Sequence, residues 1–234
     1  MKESDAFRAS KINILFVVWL IIVFFLTWLL FYRQAVSWEG GYPSDLPTHL
    51  NTIQTSVFGY SLNSFLFKIA YRIVPSYVFL TGVISVIVVA TIDATYKWLC
   101  KLTDTTCDGW IAFFASFSVF LASVFVPCLY PYFYIKSYTT QPWHNSTYLT
   151  MRLAGVVAFA FYINLEKHYL EKFLWKEWGV FTLLLFLVNY AKPNFLLGFA
   201  PMVLCFLISD FFRTKGKMVV RQFAMGCSVL LSMS

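Results

Sequence analysis

The sequence predicts an all-α fold, a polytopic transmembrane helical bundle with an amphipathic interfacial helix in its first outer loop, and three observations predict it. Apolar residues make up 59% of the 234 and charged residues only 12%, about half the charged share of a soluble domain. Aromatic residues reach 21%, as expected where rings sit at headgroup depth. Uncharged apolar runs of 20 residues or more recur along the chain, and about 20 residues cross a bilayer as a helix.

The first run, 12–32, is 21 residues without a charge. It exceeds the apolar core of a signal peptide, about 7–15 residues, and reads as a retained first span. Residues 33–72 form the first outer loop. It opens with the turn-rich Trp38-Glu-Gly-Gly-Tyr-Pro-Ser-Asp-Leu-Pro segment. From about Pro47 onward Ile53, Val57, Phe58, Leu62, Phe65, Leu66 and Ile69 recur at roughly helical spacing. That pattern suits a helix lying in the interface.

Further spans are expected at 73–92, 109–135 and 147–165, the last carrying Arg152. The runs 178–191 and 193–209 are short, and Lys192-Pro193 separates them. They fit either two spans or a re-entrant hairpin. After a basic break, a partial run at 218–234 is too short to cross, so the chain reads as a piece of a longer protein organised as one transmembrane domain.

The charge of +7 does not mark a nucleic-acid partner. Lys and Arg sit in short breaks between apolar runs rather than along one polar face. If every segment crosses, the N-terminal tail shares a side with the breaks 93–108, 166–177 and 210–221. That side holds 12 of the 18 basic residues. The positive-inside rule makes it cytoplasmic, so the expectation is a multi-pass protein of the cell inner or plasma membrane with a cytoplasmic N-terminus. Glu166, Lys167, His168, Glu171 and Lys172 read as a solvated helix end with i,i+4 pairs. The five cysteines are scattered, in neither a disulfide framework nor a zinc spacing.

Three polar segments then fall on the outer side: 44–49, 141–148 and 191–194. Asp45 and His49 stand four apart. On a helix that starts near Ser44 they share a face, as a general base with its imidazole neighbour or as two ligands of a divalent cation. The competing reading is a capping Asp45 with His49 in water. His144 and Asn145 are candidate substrate contacts, and Asn145-Ser-Thr also matches a glycosylation sequon. Arg152 and Lys192 are candidate phosphate partners, against snorkelling and an ordinary loop lysine. Glycine-rich phosphate loops, HExxH and Ser-His-Asp patterns are missing from the sequence.

A first span, a long outer loop with an early Asp and amphipathic helix, and short broken helices with outer polar loops resemble the GT-C class of membrane glycosyltransferases. The resemblance rests on Ser44-Asp-Leu-Pro-Thr-His-Leu50, Gln141-Pro-Trp-His-Asn-Ser-Thr-Tyr148 and Ala191-Lys-Pro-Asn-Phe195. It implies sugar transfer from a polyprenyl-phosphate-linked donor on the extracytoplasmic face, with Asp45 as the catalytic or metal-linked acid. A lipid-linked saccharide flippase and a non-catalytic assembly subunit of the cell envelope are the alternatives.

Overall fold

The computed structural model describes residues 2–36, 44–55, 61–103, 109–121 and 147–233. Every regular element among them is a helix, as the fold class requires. Four are long and apolar enough to cross a membrane: Ile14–Val36, Tyr77–Leu102, Thr147–Glu166 and Asn194–Thr214. In the first and last of these only 22% of the most apolar window is buried within the protein. Ile14, Leu26, Leu197 and Phe212 are all more than half exposed. Apolar faces of that extent are costly in water and ordinary in lipid. The chain is therefore a membrane protein by the length and composition of its helices. It divides into two compact units, residues 1–149 and 150–234.

In the first unit, α1 (Lys2–Val36) and α4 (Tyr77–Thr103) form an antiparallel pair. Phe16 stacks on Tyr96 with ring centroids 4.1 Å apart, and the Trp28 indole donates to the Val78 carbonyl at 3.0 Å. Lipid tails are as apolar as Leu, so fit and interhelical hydrogen bonds must hold such a pair. The buried face of α4 alternates Leu80, Ile84, Val88 and Ile92 with Thr81, Ser85, Thr91 and Thr95. Each of those hydroxyls satisfies itself on a carbonyl one turn back, at 2.7–3.0 Å. α5 (Gly109–Leu121) lies beside α1 through Phe113 and Phe117 against Trp19.

The segment between α1 and α4 carries two short helices where the sequence suggested one: α2 (Leu46–Thr55) and α3 (Leu62–Ile73). Ser61 caps α3 in an extended conformation, its Oγ accepting from Ser64 N at 3.3 Å. α3 turns Asn63 and Ser64 inward and leaves Phe65, Ile69 and Ile73 exposed. Phe67 and Ala70 share the buried face and Arg72 is exposed beside Ile73, so α3 has apolar side chains on both faces. The helix cannot run on into α4 because Pro75 forces Val74 to φ −136°, ψ 106°. The span expected from residue 73 therefore begins at Tyr77.

At its far end α4 continues to Thr103, into the break assigned to 93–108. Asp93 and Lys97 pair at 2.7 Å, one turn apart on the same helix. Its 27 residues reach about 40 Å, longer than the roughly 30 Å hydrocarbon core, so the charged turns can stand clear of it. Residues 122–135 of the expected third span lie outside the described residues.

The second unit holds α6 (Thr147–Glu166) from Thr150 on, α7 (Trp175–Ala191), α8 (Asn194–Thr214) and α9 (Val219–Leu231). Tyr162 of α6 packs against Phe181 and Phe199 at 5.7 and 5.4 Å between centroids. The runs 178–191 and 193–209 are two helices of 17 and 21 residues joined at Lys192-Pro193. α7 and α9 run parallel and are linked by polar rungs. The Trp178 indole donates to Ala224 O at 2.8 Å, Thr182 Oγ1 bonds Ser228 Oγ at 3.0 Å, and Asn189 Nδ2 donates to Ser232 O at 2.8 Å. α8 closes with Gly216 N on Phe211 O and Lys215 N on Phe212 O, the paired bonds of a Schellman turn.

Candidate functional site

α2 begins where its sequence says it should. Ser44 Oγ accepts from Leu46 N at 3.1 Å, and His49 N donates to Asp45 O at 3.1 Å. Asp45 is therefore the residue at the helix mouth, half-buried, with Pro47 in the first turn, where its missing N–H costs nothing. His49 is not in water: it is 8% exposed and belongs to the buried stripe Leu46, His49, Leu50 and Ile53. Spacings of three, four and seven put those four side chains on one face. α2 packs on α1 and α3, and α3 on α4, so this stripe closes over the end of the α1–α4 pair. The Gln54 amide also donates to the Tyr77 hydroxyl at 3.0 Å.

Other buried polar groups belong to the same four helices: Gln34 on α1, Asn63 and Ser64 on α3, and Thr81 and Ser85 on α4. Sequence reasoning missed them, because a lone Asn or Gln beside an apolar run carries no motif. Among the described residues no group of three or more His, Cys, Asp or Glu gathers to hold a metal. Asp45 and His49 alone supply fewer ligands than a protein cage for a hard cation needs.

Arg152 and Lys192 are both half-buried and both in the second unit. Gly155, one turn after Arg152, is so close to Phe195 that an added Cβ would stand 2.8 Å from the ring. Phe195 lies one turn after Lys192, so the two cations belong to the same end of the unit. Lys192 N donates to Val188 O at 2.9 Å as the last bond of α7, and Pro193 ends that helix. His144 and Asn145 lie outside the described residues.

The opposite end of the second unit holds a cluster that the sequence reading passed over as a solvated helix end. α6 stops at Glu166, and the following turn folds back into the unit. His168 Nε2 meets Glu177 Oε2 of α7 at 2.8 Å, rather than a partner four residues on. Tyr169 is 2% exposed and donates to Asp210 Oδ2 at 2.5 Å. Arg213 pairs with Asp210 Oδ1 at 2.9 Å, and Arg221 donates to the Leu170 carbonyl. Burial, then the bond to Asp210 and its negative charge, push the Tyr169 phenol well above its ordinary value. These contacts tie the breaks 166–177 and 210–221 to one end, as the alternation of charge required. The signal available in sequence was Asp210 itself, an acid set at the very end of an apolar run.

Compared with protein families, curated proteins and solved structures, the chain matches none.

Proposed function

We propose that this membrane protein is a glycosyltransferase of the GT-C type that takes sugar from a polyprenyl-phosphate-linked donor. The observation that carries the reading is the ordered start of α2. It sets the Asp45 carboxylate at a helix mouth, on short helices packed across the end of a pair of long apolar ones. In this reading Asp45 takes the proton of an acceptor hydroxyl. The hydroxyl oxygen attacks the anomeric carbon, and the bond from that carbon to the phosphate oxygen breaks. Polyprenyl phosphate leaves with the electron pair. Release of that phosphate is the step that positive charge would assist, and His144 and Asn145 contact the sugar. His49, packed in the stripe beneath Asp45, orients the helix mouth. If every segment crosses, 12 of the 18 basic residues share the N-terminal side, which supports a cytoplasmic N-terminus and transfer on the extracytoplasmic face of the cell inner membrane.

The test is Asp45→Asn, which keeps the side chain's shape and removes its basicity. Transfer from polyprenyl-phosphate hexoses should fall by at least about 100-fold, the scale of a lost general base, with donor binding retained. Donor binding without transfer by the wild type would make the chain a transporter of lipid-linked saccharide, and neither binding nor transfer would leave an assembly subunit.

A further inference from the structure

Within the second unit α8 and α9 diverge around an open groove of about 600 Å³. Its walls run from Ala200 to Phe212 on α8 and from Val219 to Leu230 on α9, about 17 Å of helix by rise. Its lining is apolar apart from Gln222, as a seat for hydrocarbon is. Leu204, Ile208 and Phe223 line it and are exposed.

One end of the groove is chemically different from the rest. Phe211, Phe212 and Val219 bring it to the 215–218 turn, where Lys215 and Lys217 are exposed beside Arg213. Gln222, in the first turn of α9, is the one amide in the lining and is 5% exposed. Its Nε2 reaches Thr214 Oγ1 at 3.5 Å, and its Oε1 has no surface open to the groove.

We propose that this groove binds a single anionic phospholipid. Its acyl chain lies between α8 and α9 and its phosphate sits at Lys215 and Lys217. The apolar lining along the groove and the positive charge at one mouth each demand a different part of the same molecule. The site is remote in sequence from Asp45 and does not depend on the transferase reading.

The experiment uses the full chain in nanodiscs with a trace of phosphatidylglycerol carrying a diazirine in its acyl tail. After irradiation, peptide mapping should place adducts on Leu204, Ile208 or Phe223 in several-fold excess over Ile14, Ile22 and Phe25 of α1. Unlabelled phosphatidylglycerol should compete and phosphatidylcholine should not. Lys215→Gln with Lys217→Gln, both exposed and harmless to folding, should lower groove labelling at least threefold. Leu204→Trp, which fills the groove, should lower it without lowering labelling of α1. Even labelling of all exposed apolar faces, equal competition by phosphatidylcholine, or indifference to both variants would overturn the proposal.

Discussion

The Tyr169 hydroxyl and the Asp210 carboxylate meet at 2.5 Å across 41 positions of sequence. The bond fastens the α6–α7 turn to the last turns of α8. A carboxylate there opposes the helix dipole, at a cost of about 0.3–1 kcal/mol, and Asp210 is 5% exposed. Tyr169 and Arg213 together offset that cost. Tyr169→Phe should therefore destabilise the second unit by about 2 kcal/mol, the scale of a hydrogen bond to a charged group. Asp210→Ala should cost about as much, by leaving the buried phenol without its acceptor. Unfolding in mixed micelles measures both, and the double variant should cost clearly less than the two losses added. Additivity would show that the contact carries no energy.

The same phenol makes stability depend on alkaline pH. Its folded pKa lies above the ordinary 10.0 because burial, then the Asp210 hydrogen bond and charge, disfavour the phenolate. The unfolded chain therefore loses this proton first as pH rises. The contribution is complete below the unfolded value near 10.0 and falls above it, by at most about 1.4 kcal/mol per pH unit. The wild type's advantage over Tyr169→Phe should be constant up to about pH 9 and shrink above the unfolded value. An advantage that grows with pH would reverse the assigned sign.

How much of this was legible beforehand differs by element. α1 and the body of α4 follow directly from uncharged runs, because a span needs only length and apolarity. The start of α4 was misjudged by four residues because Pro75 acts on Val74, a local effect that hydropathy ignores. Its end was misjudged because Asp93 and Lys97 satisfy each other along a continuing helix, where a count of charges sees a break. The start of α2 was readable from Ser44, Asp45 and Pro47, and the burial of His49 follows from its spacing to Leu46, Leu50 and Ile53. Tyr169 was not readable: its partner is distant in sequence, and its neighbours Lys167, His168 and Glu171 suggest solvent.

The turn that ends α8 offers a backbone test. Lys215 and Gly216 both have positive φ, 51° and 73°, and a Cβ on Gly216 would stand 3.2 Å from the Phe211 ring. Gly216→Ala should cost about 1–2 kcal/mol. Lys215→Gly, which removes a Cβ from a left-handed position, should gain up to about 1 kcal/mol. Thermal unfolding in detergent reads both, and equal effects of one sign would contradict the turn geometry.

Packing of α6 on α8 turns on Gly155 and Phe195. A Cβ at Gly155 would lie 2.8 and 3.0 Å from two ring carbons, and the ring is stacked on Phe199 at 5.1 Å. Gly155→Ala should destabilise by about 1–3 kcal/mol through overpacking. Adding Phe195→Leu, which frees the space, should recover part of the loss. A neutral Gly155→Ala would mean that α6 packs less closely than these distances require.

The central claim, that Asp45 drives sugar transfer from a lipid-linked donor, is tested most directly by one measurement. The full chain and its Asp45→Asn variant are reconstituted in proteoliposomes with polyprenyl-phosphate hexoses, and release of polyprenyl phosphate is followed. The account predicts release by the wild type and a loss of at least about 100-fold in the variant, with donor binding unchanged. Equal release by the two proteins would contradict it.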